Sequence, residues 1–239
     1  MSRGNPRVHF SFRSPFSWIA LTRLGRLVPG FEDRVEMLPY YDPDERTAAD
    51  LAARGAEFHY QPMSKAKHLY ILFDVRRQAQ REGLTMSWPV DRDPWWELPH
   101  LAWLRAVELG RGPQFRAALT AARWERGEDV CLPETVRAAA GHVGLPADEL
   151  AAAAHDPRLR EGGTDALVRA YEDDVFGVPY FRIGRHRFWG LDRVDDFAAE
   201  LTGRRVGEER ESPNGQHEPP AAVREAVGAY DNDTAGGCG

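Results

Sequence analysis

The residues most able to do chemistry lie in two short segments. In Ser14-Pro15-Phe16-Ser17, two hydroxyls stand three residues apart, where an alternating run ends and an apolar run at helical spacing begins. Serine followed by proline at such a point is the ordinary start of a helix. The hydroxyl caps, and proline occupies the first turn, where its missing N–H is no loss. The same hydroxyl is also a donor at the positive end of a helix and can hold an anion there. It has no disulfide chemistry, so dithiol exchange is closed at this position. The second segment, Phe176-Gly177-Val178-Pro179, is an X-Pro turn that feeds a strand.

Other residues have two readings each. Asp192 is placed to cap the last helix, with Asp195 adding charge to its first turn. Lys67 lies on an amphipathic helix, where a lysine is most often simply solvated. Trp88, Trp95 and Trp96 fall among several prolines. They either pack the join between two parts of the fold or wall an apolar pocket for an aromatic or polycyclic ligand, and we read them as the pocket. The eight histidines show no metal-ligand spacing, and Cys131 and Cys238 are far apart, so no metal is expected. No glycine loop of the kind that cradles phosphate is present.

The elements that must position these residues are legible in outline. Val8, Phe10 and Phe12 alternate with His9, Ser11 and Arg13, the pattern of a strand. Trp18, Leu21, Leu24 and Val28 make one apolar stripe on a helix that Pro29-Gly30 ends. Val35 to Tyr40 reads as a second strand, so the opening is a βαβ unit whose crossover should be right-handed. Helical patterns follow over 65–81, 98–109, 114–126, 133–143, 147–154 and 165–171, with proline near several starts and glycine near several stops. Strands return at 180–183 and 186–189 about a Gly184-Arg185 turn. Asp192 then opens a helix with Val194, Phe197 and Leu201 on one face. The fold class is α/β with an α-rich middle. The expected division is 1–60 with 172–203, a helical part over 61–171, and a disordered tail over 204–239.

A chain of 239 residues with 42% hydrophobic content can bury a substantial core. The formal charge of -6 gives no general attraction to nucleic acid or anionic lipid. No apolar stretch is long enough to cross a bilayer, so no membrane partner is expected. The first residues lack the apolar run of a secretory signal, and two distant cysteines fit a reducing compartment; both point to the cytoplasm.

Taken together and in order, four segments resemble a known family. They are Ser14-Pro15-Phe16-Ser17-Trp18, the helix segment Lys67-His68-Leu69-Tyr70 followed by Asp74, Phe176-Gly177-Val178-Pro179, and Phe188-Trp189-Gly190-Leu191-Asp192-Arg193. They resemble the 2-hydroxychromene-2-carboxylate isomerases and the related kappa-class glutathione transferases, within the DsbA-like thioredoxin-fold group, over residues 7–202. The resemblance implies a thioredoxin-like fold with an all-helical domain inserted between its βαβ and ββα halves. It implies that Ser14 stands where a redox relative carries the first cysteine of Cys-x-x-Cys, and that Ser14 is catalytic. Pro179 would be cis and would turn the Val178 backbone toward the cleft, to pair with a peptide-like ligand. Asp192 would hold the ammonium of a γ-glutamyl group, Leu191 would offer backbone only, and Lys67 would meet a ligand carboxylate. The cofactor so implied is glutathione or another low-molecular-weight thiol. Phe16, Trp88, Trp95, Trp96 and Tyr180 would line the substrate side. The chain departs from the pattern in two places. The segment from Trp88 to His100 lacks an asparagine that many relatives carry in a Pro-x-Asn loop, and Tyr180 stands where threonine is common.

The expected function is therefore a thiol-dependent isomerase acting on an unsaturated aromatic or polyketide-like small molecule. Two alternatives stay open: a thiol-independent isomerase or cyclase on the same scaffold, and a redox-inactive binding protein. The expected partner is a small molecule. The resembling families commonly dimerise, so a homodimer is among the expectations, with no interface readable from the residues.

Overall fold

The computed structural model describes residues 5–59 and 63–204. The tail expected over 204–239 falls, from residue 205 onward, outside the described residues, and so does Cys238. Four strands form one mixed sheet in the order β2-β1-β3-β4. Strand β1 (Arg7–Phe10) runs parallel to β2 (Glu36–Pro39) and antiparallel to β3 (Tyr180–Ile183), which pairs with β4 (His186–Trp189) in a hairpin. Between β1 and β2 lies α1 (Pro15–Leu27), whose Trp18, Leu21 and Leu24 are buried as their spacing requires.

Between the two halves of the sheet come α2 (Glu45–Ala53), α3 (Lys65–Arg81), α4 (Glu97–Glu108), α5 (Gly112–Trp124), α6 (Pro133–His142), α7 (Ala147–Ala151) and α8 (Pro157–Glu172). Helix α9 (Val194–Leu201) closes the fold, preceded by a 3-10 turn at Leu191–Arg193. One hydrophobic core runs from the sheet into the helices, joining Val8, Phe10 and Phe181 to Leu101, Phe115 and Trp124. Among the described residues no helix is long and apolar enough to cross a membrane.

Three differences from the sequence reading have physical causes. Helix α2 went unread because only Thr47 and Leu51 of its nine residues are buried, so it has almost no apolar stripe; its signal is the cap, where Asp44 accepts the Thr47 amide. Helix α8 is more than twice the length expected from 165–171. Asp156 caps it and Pro157 takes the first position, but Gly162 and Gly163 in its interior argue against helix. Gly163 is there for packing: a Cβ would lie 2.5 Å from Leu101 Cδ2 and closer still to the Tyr41 hydroxyl. Finally, the alternation in β1 does not separate core from solvent. His9 and Ser11 are as buried as Val8 and Phe10, so each polar side chain needs a partner inside the protein.

Candidate active site

The chain leaves β1 at Phe10, turns through residues 11–13 and enters α1 at Pro15, with Ser14 as the N-cap. The Ser14 hydroxyl accepts the Ser17 amide at 3.1 Å. Its one proton goes to the Val178 carbonyl at 3.2 Å, a contact spanning 164 positions of sequence. The Val178–Pro179 peptide bond is cis. Two segments that are remote in sequence thus meet at one half-buried hydroxyl at the mouth of a helix. Pro15 has no N–H and the Ser17 amide is taken, so the Phe16 amide is the donor of the first turn that the cap does not use. Ser17 itself is buried, its hydroxyl accepting the Ser11 amide at 3.3 Å, and faces the protein interior.

The cis-proline segment is flanked by two exposed aromatic rings. Phe176 is 55% exposed and Trp189 38%, their rings 4.8 Å apart in edge contact. Gly177 lets the indole in: a Cβ there would sit 3.0 Å from Trp189 Nε1. The Gly190 amide donates to the Pro179 carbonyl at 3.0 Å, which brings the Leu191–Arg193 turn beside the cis peptide. Leu191 is buried, while Asp192 is exposed. The helix-cap reading of Asp192 does not hold. The N-cap residue of α9 is Arg193, with no side-chain cap bond there, and Asp192 instead belongs to the turn facing the cis-proline segment.

Next to Ser14 in the chain, Arg13 pairs with Asp42 at 2.5 Å and its guanidinium lies 6.0 Å from the Trp96 ring. Sequence reasoning passed over Arg13, although a cation adjacent to Ser14 was visible. Lys67 stands exposed in the first turn of α3, whose buried contacts are Val75 and Ala79 further along. No contact brings it to Ser14 or Val178.

The expected aromatic pocket is corrected in part. Trp96 is 4% exposed and Tyr180 only 2%, so both are core side chains with no open face for a substrate. Tyr180 packs against His9 and Phe176, and its hydroxyl reaches the Asp173 carbonyl at 3.4 Å. The Arg123 guanidinium lies 4.8 Å from both Trp96 and Trp124 and forms a two-pronged pair with Asp91, and this holds Trp96 inside. Trp95 is half-buried, its indole N–H donating to Asp44 at 3.0 Å. Trp88, packed edge-on against Trp124, and Phe16 keep partly open faces. For Trp96 the cause is Arg123, a buried cation 27 residues further along the chain, which no local pattern announces.

Several ionisable groups are buried. Burial alone would raise the Asp173 carboxyl, but the hydrogen bond from His9 and the charges of His9, Arg182 and Arg7 hold it down at about 2. Burial pushes Glu97 up to about 7 and His100 down to about 3. Cys131 is a buried thiol, pushed up by burial and by Asp129, and is no nucleophile at neutral pH. Among the described residues no cluster of three or more His, Cys, Asp or Glu could hold a metal ion.

Comparison with known proteins identifies the fold. The family model of the DSBA-like thioredoxin domain matches residues 7–202. The chain is 29% identical over 194 residues to a protein of Sphingobium xenophagum described as 2-hydroxychromene-2-carboxylate isomerase, covering 78% of this chain and 92% of that one. Among solved structures it is similar to a 2-hydroxychromene-2-carboxylate isomerase (TM-score 0.64, 22% identity, 83% and 94% of the two chains). It is also similar to a probable DsbA oxidoreductase of Streptomyces coelicolor (0.60, 20%, 86% and 92%). A third is the cytosolic disulfide reductase DsbM of Pseudomonas aeruginosa, solved with GSH (0.55, 17%, 83% and 97%).

Proposed function

The chain belongs to the DSBA-like thioredoxin domain family, and from that premise we propose that it is a glutathione-dependent isomerase of an unsaturated aromatic or polyketide-like small molecule. The reading is carried by the Ser14 hydroxyl, held as the cap of α1 and aimed across at Val178. Serine at both 14 and 17 leaves no dithiol for redox exchange at this position. The isomerase description of the Sphingobium relative points the same way.

The residues present suit a peptide-like thiol. The Val178 backbone would pair with the ligand's own backbone. Exposed Asp192 would hold an ammonium, and Lys67, on the free half of α3, a carboxylate. Arg13, paired with Asp42 beside Ser14, would add a cation near the substrate. When bound, such a thiol supplies a nucleophile that adds to an activated C=C or masked carbonyl and leaves again after a bond has rotated or a ring has reopened.

Ser14 serves both moments. The Ser17 amide occupies one lone pair of its oxygen and so orients the O–H. The proton, which here goes to the Val178 carbonyl, is free to move to an anion seated between the two segments. A charge-assisted hydrogen bond of about 1.5–3 kcal/mol together with the helix end lowers a thiol pKa by about 1–2 units from 8.5. That raises the thiolate fraction at pH 7 from a few per cent toward about half. Solvent need not donate, because the donor is already in place before the charge arrives.

The test is turnover of 2-hydroxychromene-2-carboxylate with and without glutathione, for the native chain and for Ser14→Ala. The expected result is thiol-dependent turnover that falls about 100-fold in the variant, the usual effect of removing one anion-stabilising donor. Full activity in thiol-free buffer would favour a thiol-independent isomerase instead, and an undiminished Ser14→Ala enzyme would remove the hydroxyl from the chemistry.

A further inference from the structure

Four consecutive amides, those of Ser11, Phe12, Arg13 and Ser14, form the turn that presents the Ser14 hydroxyl. Ser11 donates to Ser17 Oγ at 3.3 Å, Arg13 to Ser11 Oγ at 3.2 Å, and Ser14 to the Ser11 carbonyl at 3.2 Å. All three partners lie inside the segment 11–17. The Phe12 amide alone among the four goes outside it, to Nε2 of His100 at 3.1 Å, across 88 positions of sequence.

His100 is fully buried in the first turn of α4. Its Nδ1 is 2.7 Å from the Trp96 carbonyl, which can only accept. The Phe12 amide can only donate. One protonation state satisfies both neighbours: a neutral ring with the proton on Nδ1 and a lone pair on Nε2. Ser11 Oγ, 3.3 Å from Nε2, can share that lone pair while accepting the Arg13 amide. The ring is clamped by Tyr41 stacked at 4.8 Å, by Phe12 at 5.2 Å and by Trp96 at 6.3 Å.

We propose that His100 is a positioning residue for the Ser14 site: its neutral, Nδ1-protonated ring fixes the Phe12 amide and so sets where the Ser14 hydroxyl stands relative to Val178. The inference deepens the reading of Ser14 above and rests on it for its catalytic consequence. A second proton on the ring would put an N–H against the Phe12 N–H and push the turn away. Burial keeps that proton off until far below neutral pH, and the cation of Arg123 acts in the same direction. A leucine at 100 would fill the space but offer no acceptor, whereas glutamine presents an acceptor and a donor on one planar group.

The experiment uses the full chain and three readouts. The imidazole ¹⁵N spectrum of the native protein at pH 7 is expected to show His100 neutral with the proton on Nδ1, and the Phe12 amide to exchange slowly with solvent. Bound glutathione, followed by its thiolate absorbance, is expected to titrate about one unit higher in His100→Leu than in the native chain. The accompanying fall in kcat is about tenfold, the worth of roughly one hydrogen bond, with KM within about twofold. His100→Gln should restore most of that loss. An Nε2-protonated ring, or a folded His100→Leu protein with native thiol titration and kcat, overturns the proposal. Should His100→Leu not fold, the tautomer and the Phe12 exchange rate in the native chain still decide it. If the native chain itself shows no thiolate band with glutathione, the function proposed above fails, while the ¹⁵N and exchange results continue to test the role of His100 in the turn.

Discussion

Along β1, Arg7 and His9 converge with Arg182 on the buried Asp173 carboxylate, while the turn that follows the strand is held by amides, hydroxyls and a neutral imidazole. The Asp173 cluster ties β1, β3 and the end of α8 together with the full charges of one carboxylate and two guanidinium groups, His9 adding a hydrogen bond. The Ser14 turn carries none in its hydrogen bonds, and the carboxylate at its rim, Asp42, is matched by Arg13. The difference follows from what each place must do. A charge cluster fixes elements strongly, but a bare carboxylate beside an incoming anion would repel it. Neutral donors and acceptors can hold a turn to the same geometry and leave the helix end as the dominant field.

The sharpest way to break this contrast is Asp173→Ala. It leaves two guanidinium groups and His9 around an absent partner, and is expected to destabilise by about 3 kcal/mol in urea unfolding. Thiol-dependent turnover of the folded protein is expected to stay within about twofold of native. A variant of unchanged stability would show that the cluster is not the staple described here.

A second contrast lies within α4 itself, where Glu97 and His100 are buried three residues apart. The pKa of Glu97 is raised from 4.5 to about 7 by burial. Its contribution to stability is therefore present below pH 4.5 and lost as pH rises through 7. The pKa of His100 is lowered from 6.5 to about 3. Its contribution is present above pH 6.5 and lost as pH falls toward 3. Glu97→Gln removes the first slope while keeping the acceptor for the Asp44 amide. Between pH 4.5 and 6.5 the Glu97 slope no longer offsets that of His100, so the measured stability of the variant is expected to rise with pH there, ending about 2 kcal/mol above native at pH 8. A native slope retained in the variant would assign it to another group.

The smallest expected effect concerns the exposed rim. Asp192→Asn is expected to raise the KM for glutathione about fivefold with kcat unchanged, the scale of one solvent-exposed ion pair. No change in KM would return Asp192 to a structural role in its turn.

Much of the scaffold could be read in advance because its signals are local. The Ser14-Pro15 start of α1, the span Lys65–Arg81 of α3 and the 180–189 hairpin follow from caps, apolar spacing and glycine turns. Helix α2 was illegible because it buries two side chains, and half of α8 because Gly163 answers to Tyr41 and Leu101 rather than to its own neighbours. Trp96 misled for a related reason: an apolar run predicts burial, but whether it walls a pocket or fills a core depends on what packs against it, here Arg123.

What the sequence determined by itself was the chemistry on offer: a serine hydroxyl at the start of a helix, a Val178-Pro179 turn feeding a strand, and no cysteine near either along the chain. Tertiary structure alone decided that the hydroxyl meets Val178 across 164 positions and that His100 meets Phe12 across 88. Caps and stripes arise between residues three or four apart, where the chain's own geometry enforces contact. A hydrogen bond between remote segments forms only when the packing of every element between them brings donor and acceptor to within about 3 Å.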